Sequence, residues 1–304
     1  MSMENVIETR GLTRTFGAVE AVRDLSIVVP PGKALAFLGR NGAGKTTTIK
    51  LLAGLLSPQR GESRVLGVAS AALKPADWQR LGYVAESQRL YGWMTGTELL
   101  AFVRPLYPTW DRDFESLLVR RLFVPLGRRI SHCSRGERMK LALVAALAYR
   151  PTLLILDEPF SGLDPLSRDE LLAGVLEVTG QHRWSIFFST HDVDEVERLA
   201  DDVALIDSGQ LQLHESVEAL QARFRRVHVS LPTPVPPGFQ EPAAIEVSSE
   251  GNVLRFVHTQ FSAEVEAELR RRFAGGQVEI GPLSLREIFV ALVRAFQERS
   301  FAHA

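Results

Sequence analysis

Residues 34–55 read Ala-Leu-Ala-Phe-Leu-Gly-Arg-Asn-Gly-Ala-Gly-Lys-Thr-Thr-Thr-Ile-Lys-Leu-Leu-Ala-Gly-Leu. An apolar run of strand length, Ala34 to Leu38, meets a glycine-rich turn, and the turn opens into a helical pattern from Thr46 to Leu55. Within it, Gly39 to Thr46 carries two glycines, a lysine and a threonine at the spacing of a phosphate-binding loop. The chemistry asks for these residue types. Glycines admit positive φ and let the backbone approach an anion, and the free N–H groups at a helix start converge on it. The cradle is expected to comprise Gly39, Asn41, Gly42, Ala43, Gly44, Lys45, Thr46 and Thr47. Lys45 would reach the β- and γ-phosphates, and the Thr46 hydroxyl would hold Mg²⁺. A bare turn before a helix is the competing reading, and the flanking strand and helix weigh against it.

Further along, Leu153 to Leu156 is continuously apolar and runs into Asp157 and Glu158. A buried strand thus delivers two carboxylates at its C-terminal end, where ligands of parallel sheets bind. Asp157 is placed to hold Mg²⁺, directly or through water. Glu158, pointing to the other side of the chain, can orient or deprotonate an attacking water. An exposed acidic turn is the bland alternative, but beside a phosphate loop the pair makes nucleoside triphosphate hydrolysis the leading reaction.

The rest of the chain fits an enzyme of this kind. Its 304 residues suit two domains, and 45% apolar with 23% charged residues excludes disordered, collagen-like and disulfide-scaffold classes. Lys plus Arg number 35 against 36 Asp plus Glu, so no global charge draws nucleic acid, and none is expected as a partner. The arginines at 223, 225, 226 and 270–272 lack interleaved aromatics and read as solvated faces. One cysteine, Cys133, and an N-terminus without an apolar core predict the cytosol. The longest nearly unbroken apolar stretch, Leu141 to Tyr149, is far short of the roughly 20 residues of a membrane span.

Short β-rich runs at Lys33–Leu38, Leu153–Leu156, Ile186–Ser189 and Val203–Ile206 alternate with helical stretches, which predicts a layered α/β core with a parallel sheet. A helix over Thr95–Trp110, opened by Thr95 and Glu98, belongs to an inserted helical region. Trp93 and Trp110 flank that helix; burial in the helical region is the bland expectation, and an aromatic edge for a partner the sharper one. Five of the 16 prolines fall in Pro232–Pro242, a linker or long loop. Beyond it, alternation over Ile245–Val257, a charged helix at Ala263–Arg272 and a final helix capped by Ser284 and Glu287 predict a small α+β unit.

The order of the phosphate loop, Ser134-Arg135-Gly136-Glu137, Asp157-Glu158, Ser161-Gly162-Leu163-Asp164 and His191 resembles the ATP-binding cassette of ABC transporters over about residues 4–220. The resemblance implies a P-loop NTPase core with a parallel sheet, an antiparallel β-subdomain and a helical subdomain at about 87–150, within a cassette of residues 1–222. Residues 223–304 would form the accessory domain. It further implies that ATP is the nucleotide, that Phe16 stacks on adenine, that Asp164 couples two sites of a dimer, and that His191 contacts the γ-phosphate. Ser134 and Gly136 would present a hydroxyl and a bare N–H to ATP held by the other protomer, although Ser134 and Glu137 also read as a simple capping box.

Two segments depart from the family pattern. The signature keeps only its serine and second glycine, and Glu86 stands where the Q-loop has glutamine. A carboxylate there can bind Mg²⁺ or water but donates no hydrogen bond while ionised. Leu90, Tyr91, Trp93 and Met94 follow, where the family has a groove for a cytosolic helix of the membrane subunit. The implied protein is a cytoplasmic ATPase subunit, peripheral on the membrane, working as a homodimer or heterodimer with a separate transmembrane permease. The pattern Pro282–Phe289 resembles the multidrug and antibiotic export branch. A non-transport cassette ATPase of translation or DNA repair is the alternative; one cassette and no sustained heptads argue against it. A P-loop kinase would leave Glu158, the signature and His191 without roles.

Overall fold

The computed structural model describes residues 4–182, 184–235, 241 and 243–302. The chain divides into two units, Met1–His214 and Glu215–Ala304, before the boundary expected at 222. The helix Val217–Arg223 therefore belongs to the second unit. Arg223 grips Glu215 and the Thr259 carbonyl there, and is largely covered rather than on a solvated face.

In the first unit, β1 (Ile7–Phe16) pairs antiparallel with β2 (Val19–Leu25), β3 (Val28–Val29) and β5 (Arg60–Val65), and β5 with β6 (Val68–Ala69). The second sheet has six strands in the order β11 (Gln210–Ser216), β10 (Asp202–Asp207), β4 (Ala34–Leu38), β9 (Ser185–Thr190), β8 (Leu153–Asp157) and β7 (Leu81–Val84). Its pairs from β10 to β7 are parallel. Every residue of β4, β8 and β9 is buried, as continuous apolar runs covered on both faces require.

Helix α1 (Lys45–Leu52) lies between the sheets. One core joins Ile7, Leu12 and Leu25 of the antiparallel sheet to Ile49 and Leu52 of α1 and to Phe37, Ile155 and Phe187 of the parallel sheet. Full burial of such a side chain contributes about 1.5–3 kcal/mol, so the start of α1 sits on a rigid platform. A short helix α2 (Pro75–Trp78) precedes β7, and the inserted region holds α3 (Gly96–Val103), α4 (Arg112–Arg121) and α5 (Arg135–Leu147). Thr95 caps α3 with the expected box. The helix stops at Val103 and tightens into one 3₁₀ turn, short of Trp110, because Pro105 and Pro108 cannot continue it. Helices α6 (Pro165–His182) and α7 (Val193–Leu199) follow β8 and β9.

The second unit starts with α8 (Val217–Arg223) and contains an antiparallel sheet ordered β13 (Ala244–Glu250), β14 (Val253–His258), β12 (Arg225–Ser230), β15 (Gln277–Pro282). Leu269 of α9 (Ala263–Arg272) packs on Val227, Val229, Leu254 and Phe256. The run expected as one alternating stretch from Ile245 is a hairpin turning at Gly251, whose φ is 60°. Pro232–Pro242 lies inside this unit, and residues 236–240 and 242 of it fall outside the described residues. The last helix, α10 (Leu285–Ala302), is capped by Ser284 and Glu287 and rests on α8 and β13.

Candidate active site

The loop between β4 and α1 is shaped by its glycines. Gly42 and Gly44 have φ of 84° and 104°, and a Cβ on Gly44 would sit 2.2 Å from the Ala21 carbonyl oxygen, so no larger residue fits there. Gly44 is also the N-cap of α1, and no side chain caps that helix among the described residues. Its first N–H groups therefore remain available to an anion. Asn41 is exposed, Ala43 is buried and Thr47 is half-buried. Lys45 is 5% exposed; its Nζ donates to the Gly39 carbonyl at 2.7 Å and the Arg40 carbonyl at 3.1 Å.

The carboxylate pair comes to the same place. Lys45 Nζ faces Glu158 Oε1 at 3.0 Å as an ion pair without aligned hydrogen-bond geometry. Glu158 Oε2 meets His191 Nδ1 at 2.8 Å. Glu158 has φ of 47°, a left-handed turn costing about 1–2 kcal/mol, and it separates the two acids. Asp157 stays on the other side, where its Oδ1 accepts Ser189 Oγ at 2.7 Å and Thr46 Oγ1 at 3.2 Å. Burial pushes the Asp157 carboxyl up, and the two hydroxyl donors pull it partly back. A cation beside Asp157 and Thr46 would favour the charged form, and their hard oxygen donors suit Mg²⁺. Among the described residues no group of three or more His, Cys, Asp and Glu could hold a metal, so these oxygens would need those of a bound phosphate or water to complete a shell.

Ser189 was not legible as a site residue. It both holds Asp157 and accepts the Glu158 amide at 2.9 Å, and its only signal was a hydroxyl near the end of the otherwise apolar Ile186-Phe187-Phe188 strand. Phe16 is 46% exposed at the end of β1, with the Arg14 guanidinium 4.8 Å over its ring.

The remaining expected residues lie apart from this cluster. Ser134 caps α5 in a reciprocal box with Glu137, and Glu137 also pairs with Arg128 at 2.8 Å. Gly136 lies against Ser167 and Leu163, where a Cβ would be 3.4 Å from Ser167 Cβ. Asp164 accepts the Ser167 amide at 3.0 Å, and Ser167's side chain and backbone hold its carboxyl below the usual range. No hydrogen bond or ion pair among the described residues joins Ser134, Gly136 or Asp164 to residues 39–47. Glu86 likewise meets neither Asp157 nor Thr46. It stands 3.9 Å from Arg135 and lines a cavity of about 540 Å³ with Gln88, Arg89, Ile130 and Met139.

The two tryptophans part company. Trp110 is half-buried beside Tyr107 and Tyr149 and donates its indole N–H to Glu115 at 2.6 Å. Trp93 is 68% exposed, against the expectation of burial, and with Tyr91 and Phe102 forms an exposed aromatic ridge. Met94 is buried.

Comparison with known proteins identifies the family. The ABC transporter family matches residues 22–161, and a description reading "AAA domain, putative AbiEii toxin, Type IV TA system" matches residues 126–197. The bacitracin transport ATP-binding protein BcrA of Enterococcus faecalis is 32% identical over 74% of this chain and 74% of its own. The aliphatic sulfonates import ATP-binding protein SsuB 2 of Pseudomonas aeruginosa is 35% identical over 71% of this chain and 77% of its own. A solved ATP-binding subunit of an ABC transporter superposes with a TM-score of 0.63 at 30% identity, covering 71% of this chain and 92% of that one. With about a third of its residues shared across nearly three quarters of both chains, this chain belongs to the ABC transporter family as an ATP-binding, ATP-hydrolysing cassette protein.

Proposed function

We propose that the protein is the ATPase subunit of an export transporter, driving a separate membrane subunit from the cytoplasmic face as a homodimer or heterodimer. Residues 39–47 bind the phosphates of ATP and Phe16 stacks on its adenine. Thr46 and Asp157 hold Mg²⁺, which when bound neutralises charge on the β- and γ-phosphates. Glu158 takes a proton from the attacking water, and His191, in contact with Glu158, orients it and faces the γ-phosphate. Ser134 and Gly136 serve ATP on the other protomer; among the described residues no hydrogen bond or ion pair ties them to their own phosphate loop. Asp164 lies between the two sites. Glu86, in the Q-loop position, is a further carboxylate for the metal or its water.

Support for a membrane partner comes from the exposed ridge of Tyr91, Trp93 and Phe102 beside the cavity behind Glu86. That ridge is the observation that carries the reading, since amphipathic aromatics left in water mark interfaces. Among the described residues no helix is long and apolar enough to cross a membrane, so a transport role needs a second chain. Relatives include both an import protein and a bacitracin transport protein. The export direction rests on the Pro282–Phe289 pattern. Tyr91→Ala and Trp93→Ala test the partner. At least one is expected to leave the melting temperature and basal ATPase rate of the isolated subunit unchanged while weakening its retention on membranes that carry the adjacent-gene permease. If both bind normally, or both unfold the subunit, the ridge is not the docking edge.

A further inference from the structure

A second set of charges stands behind His191. Arg168 lies in the first turn of α6, and its amide donates to the Asp164 carbonyl at 3.0 Å. Its Nη2 donates to Asp192 Oδ2 at 2.6 Å and faces Glu195 Oε1 at 3.0 Å. Glu195 is 4% exposed, and its other oxygen accepts the Thr190 hydroxyl at 2.5 Å. That hydroxyl oxygen in turn accepts the Asp192 amide at 2.9 Å. Thr190 and Asp192 are the chain neighbours of His191, so both flanks of the histidine are fixed from one guanidinium. The guanidinium belongs to the helix that continues the Ser161–Asp164 segment.

The next two residues of α6 are engaged as well. Asp169 pairs with Arg198 of α7 at 2.5 Å, and Glu170 pairs with Lys140 of α5, a lysine only 6% exposed, at 2.5 Å. Three consecutive side chains thus tie α6 to the helix behind Ser134 and to the helix after His191. Exposed ion pairs contribute little to stability, and buried ones are no more stabilising than a well-packed apolar pair. What a buried, directional pair does supply is a defined geometry. None of these residues enters the roles described above.

We propose that Arg168 is a positioning residue for hydrolysis: it sets His191, and through the Nδ1 contact Glu158, according to where the Ser161–Asp164 segment sits. A shift of that segment moves Arg168 with α6, and the Asp192 and Glu195 contacts carry it to the histidine. The proposal rests on Glu158 and His191 acting in hydrolysis.

The test uses the full-length chain with Arg168→Gln, Arg168→Lys and Glu195→Gln, measuring ATP affinity at equilibrium, kcat and KM by phosphate release, and melting temperature. Arg168→Gln is expected to lower kcat about 10- to 100-fold, the scale of a small misplacement of catalytic groups, with ATP affinity within about twofold. Arg168→Lys, which keeps a cation in reach of Asp192 and Glu195, is expected to recover most of that loss. Unchanged kcat, a parallel loss of affinity, kcat and melting temperature, or a lysine variant no better than glutamine each overturns the proposal. Should Arg168→Gln fail to fold, Glu195→Gln decides. It keeps the volume and the acceptor for Thr190 but loses the charge facing Arg168; a fall in kcat at constant affinity supports the proposal, and wild-type kcat overturns it. Glu158→Gln measured in parallel separates the two levels. Near-normal turnover there removes the base assignment itself, whereas an inactive Glu158→Gln beside a fully active Arg168→Gln removes only the positioning role.

Discussion

Replacing Glu158 by glutamine isolates the chemical step, because the structure gives the substitution nowhere to disturb binding. The side chain is 6% exposed between Lys45 Nζ at 3.0 Å and His191 Nδ1 at 2.8 Å, and glutamine has the same volume. Lys45 has no acceptor, so the amide oxygen must face it and the NH₂ must face His191, which then accepts at Nδ1. Both neighbours keep a partner. Lys45 also keeps its bonds to the Gly39 and Arg40 carbonyls, so the phosphate loop does not collapse. Lys45 is left with neutral acceptors only, so some nucleotide-free stability is expected to be lost, and the melting temperature is read alongside affinity. Removing a general base lowers kcat by about 10²–10⁴, or about 2.7–5.4 kcal/mol of transition-state stabilisation. The assay is paired: equilibrium titration with ATP, then single-turnover phosphate release. Retained affinity with turnover down by this factor is the expected result. Turnover within a few-fold of wild type would refute Glu158 as base, and loss of ATP binding with an unchanged melting temperature would refute the geometry that separates binding from chemistry.

Other perturbations have distinct signatures. Lys45→Ala removes the cation proposed to face the phosphates and leaves Glu158 with His191 as its remaining partner, so ATP affinity and nucleotide-free stability should both fall, the latter read by urea unfolding. Glu195 has its carboxyl raised by burial to about 6, above its ordinary 4.5. The native state therefore holds this proton more tightly, and its contribution is full below pH 4.5 and lost as pH rises through 6. Relative to Glu195→Gln, wild-type stability should decline by about 2 kcal/mol across that window, with a flat difference contradicting the assignment. Glu287 is lowered to about 2 by the Ser284 amide and hydroxyl and by Arg226. Its stabilisation is present above pH 4.5 and lost as pH falls towards 2, so Glu287→Ala should flatten the acid unfolding of the second unit.

The phosphate loop, the acidic pair and the strands that carry them were legible because each is local. A strand, a turn with obligatory glycines and a helix start are written in consecutive residues, and Ala34–Leu38 and Leu153–Asp157 fold as their apolar runs predict. The contacts that order the site were not. Ser189, Arg168 and Glu195 act through partners that are 24 to 32 positions away in the Arg168–Asp192 and Ser189–Asp157 contacts, and no periodicity announces such pairings. Exposure was equally illegible for the aromatics. Trp110 finds Glu115 and two tyrosines across turns of the chain, whereas Trp93 shares an exposed ridge with Tyr91, and neither outcome is written in the immediate neighbours. Arg223 turns back to Glu215 within the second unit, a pairing across one short helix that composition cannot reveal.

If two copies, or two related cassettes, complete each other's ATP sites, two variants inactive on their own should restore activity when mixed. Ser134→Arg keeps a normal phosphate loop, and Lys45→Ala keeps a normal Ser134. Mixed in equal amounts and allowed to exchange, they should form about half mixed dimers, each with one intact composite site, and so recover about a quarter of wild-type ATPase activity. Activity no higher than the average of the two variants measured alone would contradict the shared site and leave Ser134 as the cap of its own helix.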